Sequence, residues 1–537
     1  MKPSVIRNEN TFKLLRAVFA LILMVWVAGP GCSTKIEHTI DSEELQIDSD
    51  LLMGALSLTG ASPVPVTDHP SEFTSTTGPK LHSVRAPLMY LENVEFTFEL
   101  FVDPATIGQI HRVYWQLDYG SMKYELSPDF DTTSGIMTIA TSLGAHGLSG
   151  MNSVAYIWLS NEENENGRPV PVSFYLTPSK GMESSNKLNK EGPPTDKVIY
   201  TRTLAAHTHT VNSIAFSPQP GSHLLATGGN DHRVSLWDAG LGIELMRGEG
   251  HSQGVRSVAL TPDEKYLISG GQDQTARKWN TQTGALETTW GNFRDDVSSV
   301  SVSPNAPLVA LGSWDGSIHL QHLNDDQEYI VDVGDRVNSL AFSPAGGKLA
   351  AGFGKMLHEG TVALWFINVD PSTSESECED DEGNTEICPV GMPFRCEEGK
   401  CQMHLEAMMA TEGDLAGEAS SIAFSNDGKQ FAAGFGGGHV KLWKAVAPEG
   451  ELTAVKEFQT GVNDRTVGLA YPPGGNMNLI AVSRNGYVHR WQVNDGSLLK
   501  NMKLNSGLSS VAFSADGELL AIGTSMGTVL ILELGKL

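Results

Sequence analysis

The chain has 537 residues, 40% of them hydrophobic, with 37 Lys and Arg against 63 Asp and Glu. A domain holds roughly 100–200 residues, so this length predicts more than one, with ample core. A formal charge of −26 excludes nucleic acid as a partner, because phosphate backbones require a basic face; glycine without a three-residue period excludes collagen, and 10 Trp, 19 Phe and 11 Tyr exclude wholesale disorder.

The first segment reads as an address. Lys2, Arg7, Lys13 and Arg16 precede an apolar run from Ala17 to Ala28, and Gly29, Pro30, Gly31 and Cys32 follow. A basic stretch, a short apolar core and small residues before a cleavage point make a secretory signal. The run is shorter than the roughly 20 residues that span a bilayer. Ending on small residues and then Cys32, it resembles a bacterial lipoprotein signal. The resemblance implies that residues 1–31 are removed and Cys32 is lipidated. Gly29 stands where that family usually has Leu, so a plain secretory signal with Cys32 unmodified is the alternative. Ser33 is not the Asp that marks inner-membrane retention, which points to the outer membrane of a bacterial envelope. Without the leader's four basic residues and Glu9 the charge is −29, so lipid rather than a basic patch would anchor the chain.

Residues 32–81, rich in Ser, Thr, Asp and Pro, read as the lipidated cysteine and a flexible tether. Residues 82–180 carry alternating apolar segments, including Val94 to Val102, Ile110 to Leu117 and Val154 to Leu159, and predict a small β-sandwich. Trp115 stands where immunoglobulin-like domains carry a core Trp, and the segment resembles them. Its expected role is a spacer. A linker follows at 181–196.

From 197 to 537 one phrase returns seven times: SIAFSP at 213, SVALTP at 257, SVSVSP at 299, SLAFSP at 339, SIAFSN at 421, GLAYPP at 468 and SVAFSA at 510. Each leads through a Gly-rich strand to a fixed position held by Trp237, Trp279, Gln321, Trp365, Trp443, Trp491 and Leu532. These lie 42, 42, 44, 78, 48 and 41 residues apart. The long gap contains one repeat plus an insertion at about 370–405, which holds Cys378, Cys388, Cys396 and Cys401. An even, clustered set in an exported protein predicts two disulfides, with three possible pairings. The spacing has no CxxC knuckle for zinc, and no metal is expected. The acidic stretch Glu375 to Glu386 lacks a calcium loop's spaced ligands and reads as a solvated charge run.

This period resembles the WD40 propeller family. His207, Thr227, Asp231 and Trp237, then His251, Ser269, Asp273 and Trp279, match the family's His–Ser/Thr–Asp–Trp hydrogen-bonded set. Repeat three keeps Asp315, and later repeats keep none of these acids. The fold class is therefore all-β: a seven-bladed propeller preceded by an immunoglobulin-like sandwich. The resemblance implies that Val198 to Leu204 supplies the outer strand of the last blade. It also implies that the sandwich, tether and insertion share one rim and leave the opposite rim free.

On the free rim the candidate partner-binding residues are Trp314, Arg294, Arg336, Arg465 and Arg484, because Trp and Arg are the residues most enriched at interface hot spots. Gly523 to Gly527 matches a nucleophile elbow, but a strand rather than a helix follows Ser525, so no catalytic residue is assigned. The expectation is a monomeric, non-enzymatic scaffold with no cofactor, binding an unnamed protein partner and touching the membrane only through its lipid. The alternatives are an enzyme or small-molecule sensor using the central channel, and a surface adhesin or glycan binder.

Overall fold

In the computed structural model, placement is described for residues 61–65 and, with short gaps, for 77–533, all within one compact unit spanning Gly54–Leu537. Cys32, the leader and the linker 181–196 lie outside the described residues. Among the described residues no helix is long and apolar enough to cross a membrane.

Six four-stranded antiparallel sheets follow one another from Val211 to Lys503, and Leu508 to Glu533 adds the three inner strands of a seventh. Blade one runs outward from the centre through Val211–Phe216, Leu224–Gly229, Arg233–Asp238 and Ile243–Glu249. Each inner strand touches the inner strand of the next blade, and the seventh touches the first, so the ring closes. The Gly-rich second strand has a packing cause. A Cβ on Gly228 would come within 2.6 Å of Val255, and one on Gly270 within 2.7 Å of Val297. The first valine of the following blade occupies the space a side chain would need.

The serine that opens the recurring phrase also has a cause. Its hydroxyl accepts a backbone N–H from the next blade: Val258 to Ser213 at 3.2 Å, Val300 to Ser257 at 2.9 Å and Leu340 to Ser299 at 2.8 Å. Ile422 donates to Ser339 at 3.0 Å, and Ile214 of blade one donates to Ser510 of blade seven at 3.3 Å. A β-bulge just before this position recurs in all seven inner strands, as befits a device that re-aims a side chain. Gly468 has no hydroxyl to offer blade seven.

Blade four holds the insertion between Thr361–Ile367 and its outer strand Leu405–Thr411. Within it, Ser376–Glu379 pairs with Thr385–Cys388, and Phe394–Glu397 pairs with Lys400–Met403. The register sets Cys396 directly opposite Cys401, whereas Cys378 faces Glu386 and Cys388 faces Ser376. The expected disulfides concern side chains outside the described ones.

The sandwich consists of two sheets packed around Leu81, Val84, Phe98, Leu100, Trp115, Ile157 and Val172. Trp115 stacks on Phe98 with ring centroids 5.4 Å apart. Ala61–Pro65, read from the sequence as tether, is an edge strand paired with Met122–Leu126.

The attachment of the sandwich departs from the sequence expectation. Tyr200–Leu204 does complete blade seven, pairing with Val529 to Leu532. Its other edge pairs with Leu81–Pro87 of the sandwich, so blade and sandwich form one eight-stranded sheet. An outer propeller strand leaves a row of unpaired N–H and C=O groups, and the sandwich strand satisfies them. Arg202 on the closing strand is 5% exposed, donates to the Leu241 carbonyl at 2.9 Å and lies 4.2 Å over the Phe101 ring. Burial pushes its pKa down to about 10. Arg85 pairs with Glu533 at 2.9 Å, and Lys80 with Glu244 of blade one at 3.2 Å. The sandwich also touches loops of the rim expected to be free, where Met526 packs against Tyr114, Val154, Tyr156 and Trp158, and Arg168 donates to the His207 carbonyl.

Replacing Ser257 by Ala should cost about 1–3 kcal/mol, because the Val300 N–H loses its acceptor. Urea unfolding checks this. An unchanged midpoint would show that the inter-blade hydroxyl contributes nothing.

Candidate functional site: the rim around the channel mouth

One backbone hydrogen bond repeats in every blade and builds the mouth of the channel. The residue after the second strand donates its N–H to the carbonyl of the residue before the first strand. The pairs are Asn230 to Thr210, Gln272 to Gly254, Trp314 to Asp296, Gly354 to Arg336, Gly436 to Glu418, Arg484 to Arg465 and Ser525 to Gly507, all at 2.8–3.1 Å. Fourteen positions are thereby fixed around one opening. The arc from blade seven through blade two is small and uncharged: Gly507, Ser525, Thr210, Asn230, Gly254 and Gln272. Blades three to six carry Asp296, Trp314, Arg336, Glu418, Arg465 and Arg484.

Four of the five candidate residues belong to this ring. Trp314 is half-buried, with the Arg256 guanidinium 4.4 Å from its ring centroid and the Arg336 guanidinium 5.0 Å away. Each cation lies over an aromatic face, an arrangement worth about 0.5–1 kcal/mol at exposed sites. Arg256 is held in turn by Asp296 at 2.8 and 3.0 Å, and Arg336 pairs loosely with Asp295 at 3.9 Å. In blade six Arg465 pairs with the buried Glu418 at 3.1 Å. Burial lowers the Arg465 pKa, Glu418 opposes this, and the charges of Arg484 and Arg256 lower it further. Arg294 lies off the ring: its backbone N–H donates to Asp315 at 2.8 Å and its side chain is exposed.

Arg256 is the residue that sequence reasoning missed. The position before each phrase's first residue holds Asn212, Arg256, Ser298, Asn338, Ser420, Val467 and Ser509. Several of these bond to a carbonyl of the neighbouring blade, as Asn212 does to Val255 at 2.7 Å. Arginine is too long for that bond and reaches across to Asp296 and Trp314. Aligning one residue further upstream would have exposed the exception.

The repeat network forms as expected in blade two. His251 bonds Asp273 at 2.9 Å and Ser269 at 2.8 Å, and the Trp279 indole donates to Ser269 at 2.8 Å. In blade one His207 bonds Asp231 at 2.8 Å and Thr227 at 2.9 Å. The Trp237 indole, expected on Thr227, is buried without a partner there; instead its ring meets His82 of the sandwich edge-on at 6.3 Å. Burial alone would raise Asp273, but its bonds from His251 and the Ser252 N–H hold it well below the usual carboxylate range. Blade six solves the same turn in reverse, since Asp464, on the loop before its first strand, accepts the Asn485 N–H at 2.7 Å.

Two other features lie away from the mouth. A cavity of about 210 Å³ between Gln430, Leu442, Val455, Lys456, Val493 and Asn494 is spanned by Lys456, which donates to the Val493 and Asn494 carbonyls. His223, Asp516 and Glu518 cluster in turns preceding second strands, and both acids are exposed.

Comparison with known proteins agrees with this architecture. The WD40 model, described as "WD domain, G-beta repeat", matches residues 199–238, 243–280, 284–320 and 411–444. The chain therefore carries WD40 repeats at these positions, within the ring of four-stranded sheets. It is 24% identical over 278 residues to pre-mRNA-processing factor 17 of Saccharomyces cerevisiae, covering 46% of this chain and 57% of that protein. It is 31% identical over 190 residues to a guanine nucleotide-binding protein subunit beta of Solanum tuberosum, covering 32% and 50%. With nuclear distribution protein PAC1 of Coccidioides posadasii it shares 30% over 129 residues, covering 23% and 27%. The chain thus spans about half, or less, of the length of the curated relatives it matches.

Because the depressed carboxylate favours the native state, the stability that Asp273 contributes is present above its unfolded pKa of about 3.9 and is lost as pH falls below it. Asp273→Asn should lower stability by about 1–3 kcal/mol at pH 7 and flatten the acid limb of the stability curve. Thermal melts between pH 3 and 7 test both points, and an unchanged acid limb would contradict them.

Proposed function

We propose that this chain is a non-enzymatic scaffold that binds a protein partner through the charged arc of the channel mouth. One observation carries the reading: Trp314 is stacked by the guanidinium groups of both Arg256 and Arg336 on a ring whose backbone is fixed blade by blade. Trp and Arg in a rigid, half-buried setting are the residues that dominate interface energies, and a pre-ordered surface loses little entropy on binding. The opposite arc carries only small, uncharged side chains in the ring, which leaves room for the partner's bulk. An enzymatic reading lacks support at the mouth, where Arg256, Arg336 and Arg465 are engaged with Asp296, Asp295 and Glu418.

The envelope setting belongs to the same proposal and rests on the leader and Cys32 alone. An exported chain held by lipid at Cys32 would present this rim outside the cytoplasm, as a monomer.

The test is a cross-linking pull-down from intact cells, comparing the natural chain with Trp314→Ala/Arg336→Glu, with a thermal melt to verify folding. A discrete partner captured by the natural chain and reduced at least tenfold in the folded variant is the expected result. Equal capture by both would move the binding surface off this arc.

A further inference from the structure

The insertion of blade four contains two short hairpins. Ser376–Glu379 pairs with Thr385–Cys388, and Phe394–Glu397 pairs with Lys400–Met403. The four strands read SECE, TEIC, FRCE and KCQM, with one Ile, one Phe and one Met besides the four cysteines. A lone two-stranded hairpin is marginal in water, and so few apolar residues cannot build a core that holds two of them. Small units of this kind are held by cross-links. The hairpins nonetheless lie together: Ser376–Glu379 comes close to both strands of the second hairpin, and Thr385–Cys388 lies nearest Lys400–Met403.

Four cysteines allow three pairings, and the register decides among them. Bonding Cys396 to its opposite, Cys401, leaves Cys378 to bond Cys388. Those two stand at diagonal positions, because Cys378 faces Glu386 and Cys388 faces Ser376. Diagonal neighbours lie about 7–8 Å apart, beyond the roughly 4.4–6.8 Å between the Cα atoms of a disulfide. That pairing also leaves the two hairpins unjoined. Bonding Cys378 to Cys401 leaves Cys388 to bond Cys396, although the strand of Cys388 lies nearest Lys400–Met403 rather than Phe394–Glu397. In the remaining pairing each bond links two strands that lie close together: Ser376–Glu379 with Phe394–Glu397, and Thr385–Cys388 with Lys400–Met403.

We propose that Cys378 bonds Cys396 and Cys388 bonds Cys401, so that the insertion is a doubly cross-linked module carried on blade four. Each bond forms by exchange with a small disulfide such as glutathione disulfide. One cysteine thiolate attacks it and releases a first glutathione; the second cysteine thiolate attacks the protein sulfur of the mixed disulfide and releases another. The cysteine pair thereby loses two protons and two electrons, which the two glutathione thiols carry away. Both cross-links lie between Ile367 and Leu405, outside the pairing of Thr361–Ile367 with Leu405–Thr411 that completes blade four. Reduction should therefore open the module without opening the ring. Formation in the cell rests on the export reading, because it requires an oxidising compartment, whereas the pairing itself is tested in vitro.

The test uses the full chain with Cys32→Ser, which removes the one cysteine outside the insertion, equilibrated with reduced and oxidised glutathione and alkylated without reduction. Cleavage after Lys, Arg and Glu separates all four cysteines, since Glu379, Glu386, Arg395 and Glu397 lie between them, and mass spectrometry then identifies the linked peptides. One linked pair should join Cys378 to Cys396 and the other Cys388 to Cys401. In Cys378→Ala, iodoacetamide should label Cys396 and leave Cys388 linked to Cys401. On reduction, tryptic cutting at Arg395 and Lys400 should rise about tenfold while the thermal melt of the ring stays in place. A Cys396–Cys401 or a Cys378–Cys401 bond would overturn the pairing. Four thiols still labelled after exchange, with or without bound zinc, would overturn the cross-linked module altogether. The expected bonds formed in vitro but absent from protein taken from its own cells would overturn the export reading and leave the pairing standing.

Discussion

The closing strand Tyr200–Leu204 is the constraint on which the rest of the molecule depends. A ring of sheets is stable only if its last member is completed, and completion here uses a strand from before the first blade. The same strand then pairs on its outer edge with Leu81–Pro87. Its side chains are accordingly buried: Thr201, Arg202 and Thr203 are all 5% exposed or less. Arg202 pairs a costly burial with a carbonyl and an aromatic face, joining closing strand, sandwich and blade one at a single point. The sandwich is thus part of the propeller's closure and not a bead on a string.

Closure also gives the mouth its precision. Once the ring is shut, serine hydroxyls tie one blade to the next, and the ring hydrogen bond sets the two mouth positions within each blade. Side chains placed there inherit that order. Trp314 sits in blade three and reaches arginines of blades two and four, so three blades hold one aromatic face. At the other end of the arc Arg465 belongs to blade six and its partner Glu418 to blade five. The scaffold below these positions is common to many proteins, which differ in the side chains set on it.

Much of this was legible in the sequence, for reasons that differ by residue. The repeated phrase and the tryptophans at fixed spacing announce seven units because each blade must solve the same packing problem. The His251, Ser269, Asp273 and Trp279 set is readable because buried polar groups have to satisfy one another. The insertion showed itself as surplus length. Arg256 escaped notice because its meaning lies in the contrast with Asn212 and Ser298 at the same ring position. Asp464 escaped because blade six moves its carboxylate to the other side of the turn. The joining of sandwich to propeller was not legible at all. Val198 to Leu204 read as a strand and Leu81–Pro87 was not singled out, and nothing local says that two segments so far apart in the chain pair edge to edge.

Hydrogen exchange read by mass spectrometry tests that joining most directly. Tyr200–Leu204 should exchange as slowly as the inner strand Val211–Phe216, because both of its edges are paired, and Leu81–Pro87 should share that protection. If instead Tyr200–Leu204 exchanged as fast as the exposed outer strand Leu498–Lys503 while the inner strands stayed protected, the sandwich would be a detachable appendage and the ring would close without it.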